Sequence, residues 1–374
     1  MMRSFALSAK GSRPCTNPFQ PRRNFQTEAL PDSPAACQAE AHRLSAGGLR
    51  QRPRAQSLRC RLAGLVDIPS NPVPRGAVCE TVTTDDGLGL RFARWPANRS
   101  PVRGTVIILP GRTEFIEKYF ETVSDLRRRG FGVAVLDARG QGGSARLLSN
   151  VRKGHVRDFA DYVNDFEAVM QEMILPDCPP PYFVLAHSMG AAVALLSAAR
   201  LRTQIERMVL TSPMVALPRG SPEFFARLSG VLMHLGLGES FVPGGGATII
   251  QTRPFRGNPV TSDPVRYQRS VDIVDADPSV GIGAPTIGWL NAAMHASLRM
   301  AEPNFSAEVP MPVLMVLAGA DTIVSNQAAE KLSRRLKTTA HLRIPGAKHE
   351  IMMERDELRD QFWVAFDAFV EGRR

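Results

Sequence analysis

Three residues far apart in the chain carry the groups that nucleophilic catalysis combines. Ser188 lies in LAHSMGAAVALL, Asp321 in VLMVLAGADTIVS and His349 in RIPGAKHEIMMERDE: a hydroxyl, a carboxylate and an imidazole. Ser188 follows an apolar run and precedes a helix-like pattern, with Ala186 two residues before it and Gly190 two after. A serine on a sharp strand-to-helix turn projects Oγ out of a sheet, and the positive N-terminal end of the next helix faces any oxyanion formed there. Such a turn presses the residues at −2 and +2 together, so both must be small. Alanine and glycine meet that need, although a small-x-Ser-x-small match taken alone also describes an ordinary loop serine.

The acid and the imidazole have plain readings too. Asp321 could cap a helix starting near Ser325 or Asn326, and a lone His349 in a loop would be a surface residue. Their order separates the readings. Ser188, then an acid after a late strand, then a histidine in the last loop is the chain order of the α/β-hydrolase arrangement. The other six histidines fit less well: His42 lies near the N-terminus, His187 adjoins the serine and is expected to point away, and His155, His234, His295 and His341 have no paired acid in their patterns. Asp137 is the rival acid, but it precedes the serine. A fourth stretch, LPGRTEFIEKYF (109–120), follows an apolar run and predicts a loop whose backbone joins the site. Acyl transfer needs two N–H donors aimed at the oxyanion, one from the residue after the nucleophile and one from such an early loop. Met189 and Arg112 are those positions.

The elements that must position these residues are legible as apolar runs bounded by Gly, Pro or Asp: 105–109 (TVIIL), 132–136 (GVAVL), 182–186 (YFVLA), 208–211 (MVLT) and 313–317 (VLMVL). Strands buried on both faces read this way. Helical patterns lie between them at 115–129, 159–173 and 190–201, so the fold expected is α/β, a mostly parallel central sheet flanked by helices. The stretch 213–303 breaks the rhythm. A helix at 224–237, with Phe224, Phe225, Leu228, Val231, Leu232 and Leu235 on one face, then GGG and Pro-rich turns, predicts a helical cap inserted between two core strands. Phe224, Phe225 and Trp289 are its candidate substrate contacts, with Met294 beside them.

Composition narrows the function classes. The 374 residues are 44% hydrophobic and 22% charged, as in a globular protein with a sizeable core. The formal net charge of +10 is concentrated at one end: residues 1–66 hold eleven Lys and Arg against three acids. The remainder is nearly neutral and shows no basic stripe, so a nucleic-acid partner is not expected. Residues 1–64 lack any period of 2 or 3.6 and read as a disordered basic leader, an organelle transit segment or a start codon assigned too far upstream, leaving 65–374 as the folded domain. No apolar run is long enough for a membrane span. Five cysteines without a C-x-x-C pair fit reduced thiols in the cytoplasm; peripheral contact with inner-membrane lipid stays open. No metal or cofactor is expected.

The body resembles the α/β-hydrolase superfamily, and within it the group of lysophospholipase L2 and monoacylglycerol lipases, also classed with S33 serine aminopeptidases. The resemblance is carried by PGRTEFIEKY (110–119), LDARGQGGSARL (136–147), AHSMGAAVAL (186–195), APTIGWL (284–290), LAGADTIVS (317–325) and GAKHEIMME (346–354). It implies a carboxylic ester hydrolase acting through an acyl-enzyme on a lysophospholipid or monoacylglycerol, with Asp137 and Arg139 holding structure. Pro-Gly-Arg stands where many lipases have His-Gly. Two other readings remain at this point: an aminopeptidase using an acidic cluster drawn from Glu239, Asp263, Asp272, Asp275 and Asp277, and a non-catalytic binding protein on the same fold. The sequence leaves the oligomeric state undefined.

Overall fold

A computed structural model describes residues 64–371; residues 1–63 of the expected leader lie outside them. Eight strands form one sheet: β1 (Val78–Thr83), β2 (Gly89–Trp95), β3 (Thr105–Leu109), β4 (Gly132–Leu136), β5 (Tyr182–His187), β6 (Ile205–Thr211), β7 (Val313–Ala318) and β8 (Thr339–Ile344). Their order is β1-β2-β4-β3-β5-β6-β7-β8. The two N-terminal strands pair antiparallel, and β4 to β8 with β3 are parallel. β1 and β2 have no counterpart in the runs read from sequence.

The central strands are apolar on both faces because both faces are covered. Ile107, Ala134, Val184, Leu210 and Met315 pack into one core layer, against α2 (Phe159–Val169), α3 (Met189–Ser197) and α6 (Ile287–Ala301). Their alternates Val106, Val133, Phe183, Val209 and Leu314 enter the other, with α1 (Phe120–Arg128) and α8 (Asp356–Glu371). The sequence predicts one helix over 115–129; its first turn is instead a 3-10 turn, Ile116–Tyr119, and Gly130 closes the helix at φ 87°. Glycine tolerates that left-handed turn without the strain a side chain brings.

Register brings the carboxyl ends of the strands level: Leu109 pairs with Ala186, His187 with Thr211, and Thr211 with Val316. Ligands bind beyond such ends in open α/β sheets. Between β6 and β7 the chain leaves the sheet and forms α4 (Pro222–His234), α5 (Pro264–Ala276) and α6. Only the first of these was expected as a helix. Proline at the first helical positions of α4 and α5, with Ser221 and Asp263 as N-caps, starts both helices. α7 (Asn326–Arg335) then links β7 to β8.

Candidate active site

Ser188 occupies the turn between β5 and α3 with φ 51° and ψ −113°, a conformation costing a non-glycine residue about 1–3 kcal/mol. The surroundings hold it there. Its N–H donates to Thr211 O at 3.0 Å, and its carbonyl accepts from Ala191 N and Met214 N, both at 3.1 Å. Gly190 lies so close to β3 that a Cβ would fall 2.2 Å from the Leu109 carbonyl oxygen, which is why position +2 must be glycine in this chain.

His349 follows β8, and its Nε2 stands 2.9 Å from Ser188 Oγ. Its Nδ1 is 2.8 Å from Asp321 Oδ2. A carboxylate only accepts, so Nδ1 carries the hydrogen and Nε2 is left to accept the serine proton. Burial opposes ionisation of Asp321, but the hydrogen bond from His349, the field of that imidazole and amides from Ile323 (2.8 Å) and Val324 (3.1 Å) hold its carboxyl below the ordinary value. The two amides belong to the loop before α7, whose own N-cap is Ser325.

The sequence reading overlooked Ser212. It is the first residue past β6, at φ 43°, and its hydroxyl donates to the backbone carbonyl of His349 at 2.6 Å. Position in line with Ser188 was the available signal. His187, expected to point away, does turn its Nδ1 to Thr211 Oγ1 (3.1 Å), yet its ring lies against His349 with centroids 4.8 Å apart. Burial pushes His187 down to about 4, so the ring is neutral around pH 7.

Loop 110–114 is fastened from several sides. Gln141 Nε2 donates to Gly111 O (2.7 Å), Gln141 Oε1 accepts from Thr113 N (3.2 Å), and Gln251 Nε2 donates to Thr113 O. The Gly111 N–H goes to Glu114 Oε2 at 2.5 Å, and Tyr119 Oη donates to the same oxygen at 2.6 Å. Arg112 lies in this loop and Met189 is the first residue of α3, the two positions whose N–H groups were expected to serve an oxyanion. Beneath the loop, Lys118 Nζ bridges Glu114 Oε1 (2.9 Å) and Glu350 Oε1 (2.6 Å), tying the loop to the neighbour of His349. Burial disfavours the Glu114 charge, but Lys118 overcomes it and holds that carboxyl down at about 2. Charged residues in EFIEKY thus sit in the interior, which sequence reasoning did not foresee.

Asp137, the rival acid, is consumed elsewhere: its oxygens take Arg91 Nε (2.6 Å), Gly143 N (2.7 Å) and Ile116 N (2.9 Å). Arg139 holds Asp165 at 2.5 Å and Asp86 at 2.8 Å. Both are structural, as the resemblance implies. Three of the five acids offered for an aminopeptidase are likewise occupied: Asp263 caps α5 and pairs with Arg266 at 2.9 Å, Asp277 caps a short turn, and Asp272 accepts from Ser70 and Gln268, each at 2.9 Å.

The predicted substrate contacts divide. Phe224, expected as a substrate contact, is 59% exposed and with Leu228 and Val231 forms the solvent face of α4. The reason is a rotation of the helix, which buries Ala226 and Ser229 toward α6 instead. Phe225 packs partly buried against the core, and Trp289 is buried with its ring 6.0 Å from Phe159. Thr286 caps α6, accepting from Trp289 N at 3.1 Å, and its hydroxyl lies 2.8 Å from His155 Nδ1.

The chain is similar to several known proteins. The family model described as serine aminopeptidase, S33, matches residues 100–356. Lysophospholipase L2 of Escherichia coli strain K12 is 32% identical over 295 residues, spanning 76% of this chain and 84% of that protein. Monoacylglycerol lipase of Mycolicibacterium smegmatis is 26% identical, spanning 72% and 89%. A soluble variant of monoglyceride lipase from Saccharomyces cerevisiae, solved with a substrate analogue, shares the fold at a TM-score of 0.62 and 20% identity, covering 79% of this chain and 96% of that one. The chain belongs to the S33 family of α/β-hydrolases.

Proposed function

We propose that the protein hydrolyses the carboxylic ester of a lysophospholipid or monoacylglycerol through an acyl-enzyme, with Ser188 as nucleophile, His349 as general base and acid, and Asp321 as the group that orients the imidazole. The observation that carries this is the continuous line from Ser188 Oγ to His349 Nε2 (2.9 Å) and from Nδ1 to Asp321 (2.8 Å). As Oγ attacks the ester carbonyl carbon, Nε2 takes its proton; the N–H groups of Arg112 and Met189 receive the oxyanion. Collapse expels the glycerol oxygen, which takes the proton back from Nε2. Water then repeats the sequence, releasing the fatty acid and restoring Ser188.

The 213–303 insertion acts as a cap in this reading, with Phe225 and Trp289 on its inner side as substrate contacts. Its outer face, Phe224, Leu228, Val231 and Leu235, would rest on lipid at a membrane surface, where such a stripe finds apolar cover. No described helix is long and apolar enough to cross a membrane. Burial pushes the thiols of Cys79 and Cys178 up to about 11.

A substrate panel tests the reading: long-chain lysophosphatidylcholine, long-chain monoacylglycerol, p-nitrophenyl acetate and proline naphthylamide. Turnover of either lipid ester above the acetate supports it. Turnover confined to the naphthylamide or to the acetate would overturn it.

A further inference from the structure

Arg112 presents a charge with no acidic partner among the described residues. The other buried arginines hold carboxylates: Arg91 pairs with Asp137 and Glu117, Arg139 with Asp165, Arg266 with Glu121, and Arg359 with Asp125. The guanidinium of Arg112 has instead a neutral setting. Nη2 donates to Gly283 O at 2.7 Å, the group lies 5.3 Å from the centre of the Trp289 ring, and Nε is buried with no acceptor. The indole N–H of Trp289 also makes no well-formed hydrogen bond, although the Tyr162 hydroxyl is near it. Burial drives the guanidinium down to about 10, opposed only weakly by Tyr162, so the fold keeps a poorly compensated cation here. Gly154 makes room for it, since a Cβ there would lie 2.6 Å from Nη2. The residue as a whole is partly exposed, while Nε itself is enclosed.

Unsatisfied buried donors on a cation call for an anion, and a guanidinium fork matches phosphate oxygens in geometry. We infer that the Arg112 side chain receives the phosphodiester of a lysophospholipid substrate while its backbone N–H serves the ester carbonyl. The inference rests on the ester-hydrolase reading above. The two groups of such a lipid are spaced to suit: ester carbonyl carbon and phosphorus are separated through glycerol by about as many bonds as the Arg112 amide nitrogen and its guanidinium carbon. Substrate preference for a charged over a neutral head group would then reside in the Arg112 side chain.

The test compares lysophosphatidylcholine with monoacylglycerol of the same acyl chain in the full-length protein. Arg112→Gln, which keeps the backbone donor, is expected to lower the lysophospholipid-to-monoacylglycerol ratio of kcat/KM at least tenfold, with part of the ratio restored by Arg112→Lys. A latch role, holding the insertion through Gly283 and Trp289, lowers both substrates together; an unchanged ratio overturns the inference. Failure of the wild type to cleave either ester condemns the hydrolase reading itself, and the inference with it. A second arm needs no variant. Glycerophosphocholine is expected to inhibit wild-type monoacylglycerol hydrolysis competitively, far more than glycerol or inorganic phosphate does. Inhibition by inorganic phosphate at equal concentration would assign the cation to a free anion and overturn the head-group assignment, as would absence of inhibition by glycerophosphocholine.

Discussion

Ser212 Oγ donates a 2.6 Å hydrogen bond to the backbone carbonyl of His349, so the residue after β6 fixes the loop that carries the imidazole after β8. Ser212 also donates its own N–H to Val316 O at 2.8 Å, which anchors the anchor. Side-chain loss should therefore act on the position of His349. Ser212→Ala is expected to lower kcat by about 3–10-fold, the worth of one such bond at about 1 kcal/mol, with KM little changed. Steady-state kinetics on a lipid ester checks it; an effect confined to KM contradicts it.

Gly190 tests the contact between β3 and the start of α3. In Gly190→Ala the new Cβ would meet the Leu109 carbonyl at 2.2 Å, a backbone atom that cannot swing aside. The first turn of α3 must move, and the Met189 N–H with it. A displacement near 1 Å at an oxyanion donor costs about 100-fold in kcat. Activity within about threefold of wild type, at unchanged Tm, would show that the donor is not where it is placed.

Lys118 is the cation between two buried carboxylates. Lys118→Met leaves Glu114 and Glu350 facing each other uncompensated, and breaking a buried pair this way costs about 3–5 kcal/mol. Urea denaturation at pH 7 should show that loss. Adding Glu350→Gln to the variant should recover part of it, because one unpaired charge is removed.

Stability should also fall as His187 is forced to ionise. Its folded pKa, near 4, lies below the unfolded value of 6.5, because burial disfavours the cation. The unfolded chain then binds the extra proton first, so this contribution is complete above pH 6.5 and is lost as pH falls from 6.5 toward 4. It amounts to roughly 3 kcal/mol. Across that window the denaturation midpoint of His187→Asn is expected to drop less than that of the wild type; parallel curves contradict the assignment.

The sequence made most of the sheet visible and less of what supports the site. Runs such as TVIIL and GVAVL are apolar on both faces because helices cover both, and that pattern survives translation into strands at the same residues. β1 and β2 escaped because they mix charge into the strand: Arg91 sits inside β2, buried only because Asp137 and Glu117 meet it. The same blindness hid Glu114, Lys118 and Glu350, since lone charges read as solvent-facing until their partners are known. In α5, Arg266, Gln268 and Asp272 masked the apolar face, and α6 stood in view only as the PTIGWL motif. Ser188, Asp321 and His349 were legible through their order, which periodicity does not supply. The rotation of α4 was not, because an apolar stripe does not say which side of it meets the core.

Ester hydrolysis through an acyl-enzyme requires Ser188 as the activated nucleophile. A fluorophosphonate probe, followed by peptide mass spectrometry, tests this most directly. The predicted result is one adduct per chain on the peptide carrying Ser188, with labelling and ester turnover both lost in Ser188→Ala and strongly reduced in His349→Ala. Undiminished labelling of Ser188→Ala, or an adduct on another residue of the wild type, would contradict it.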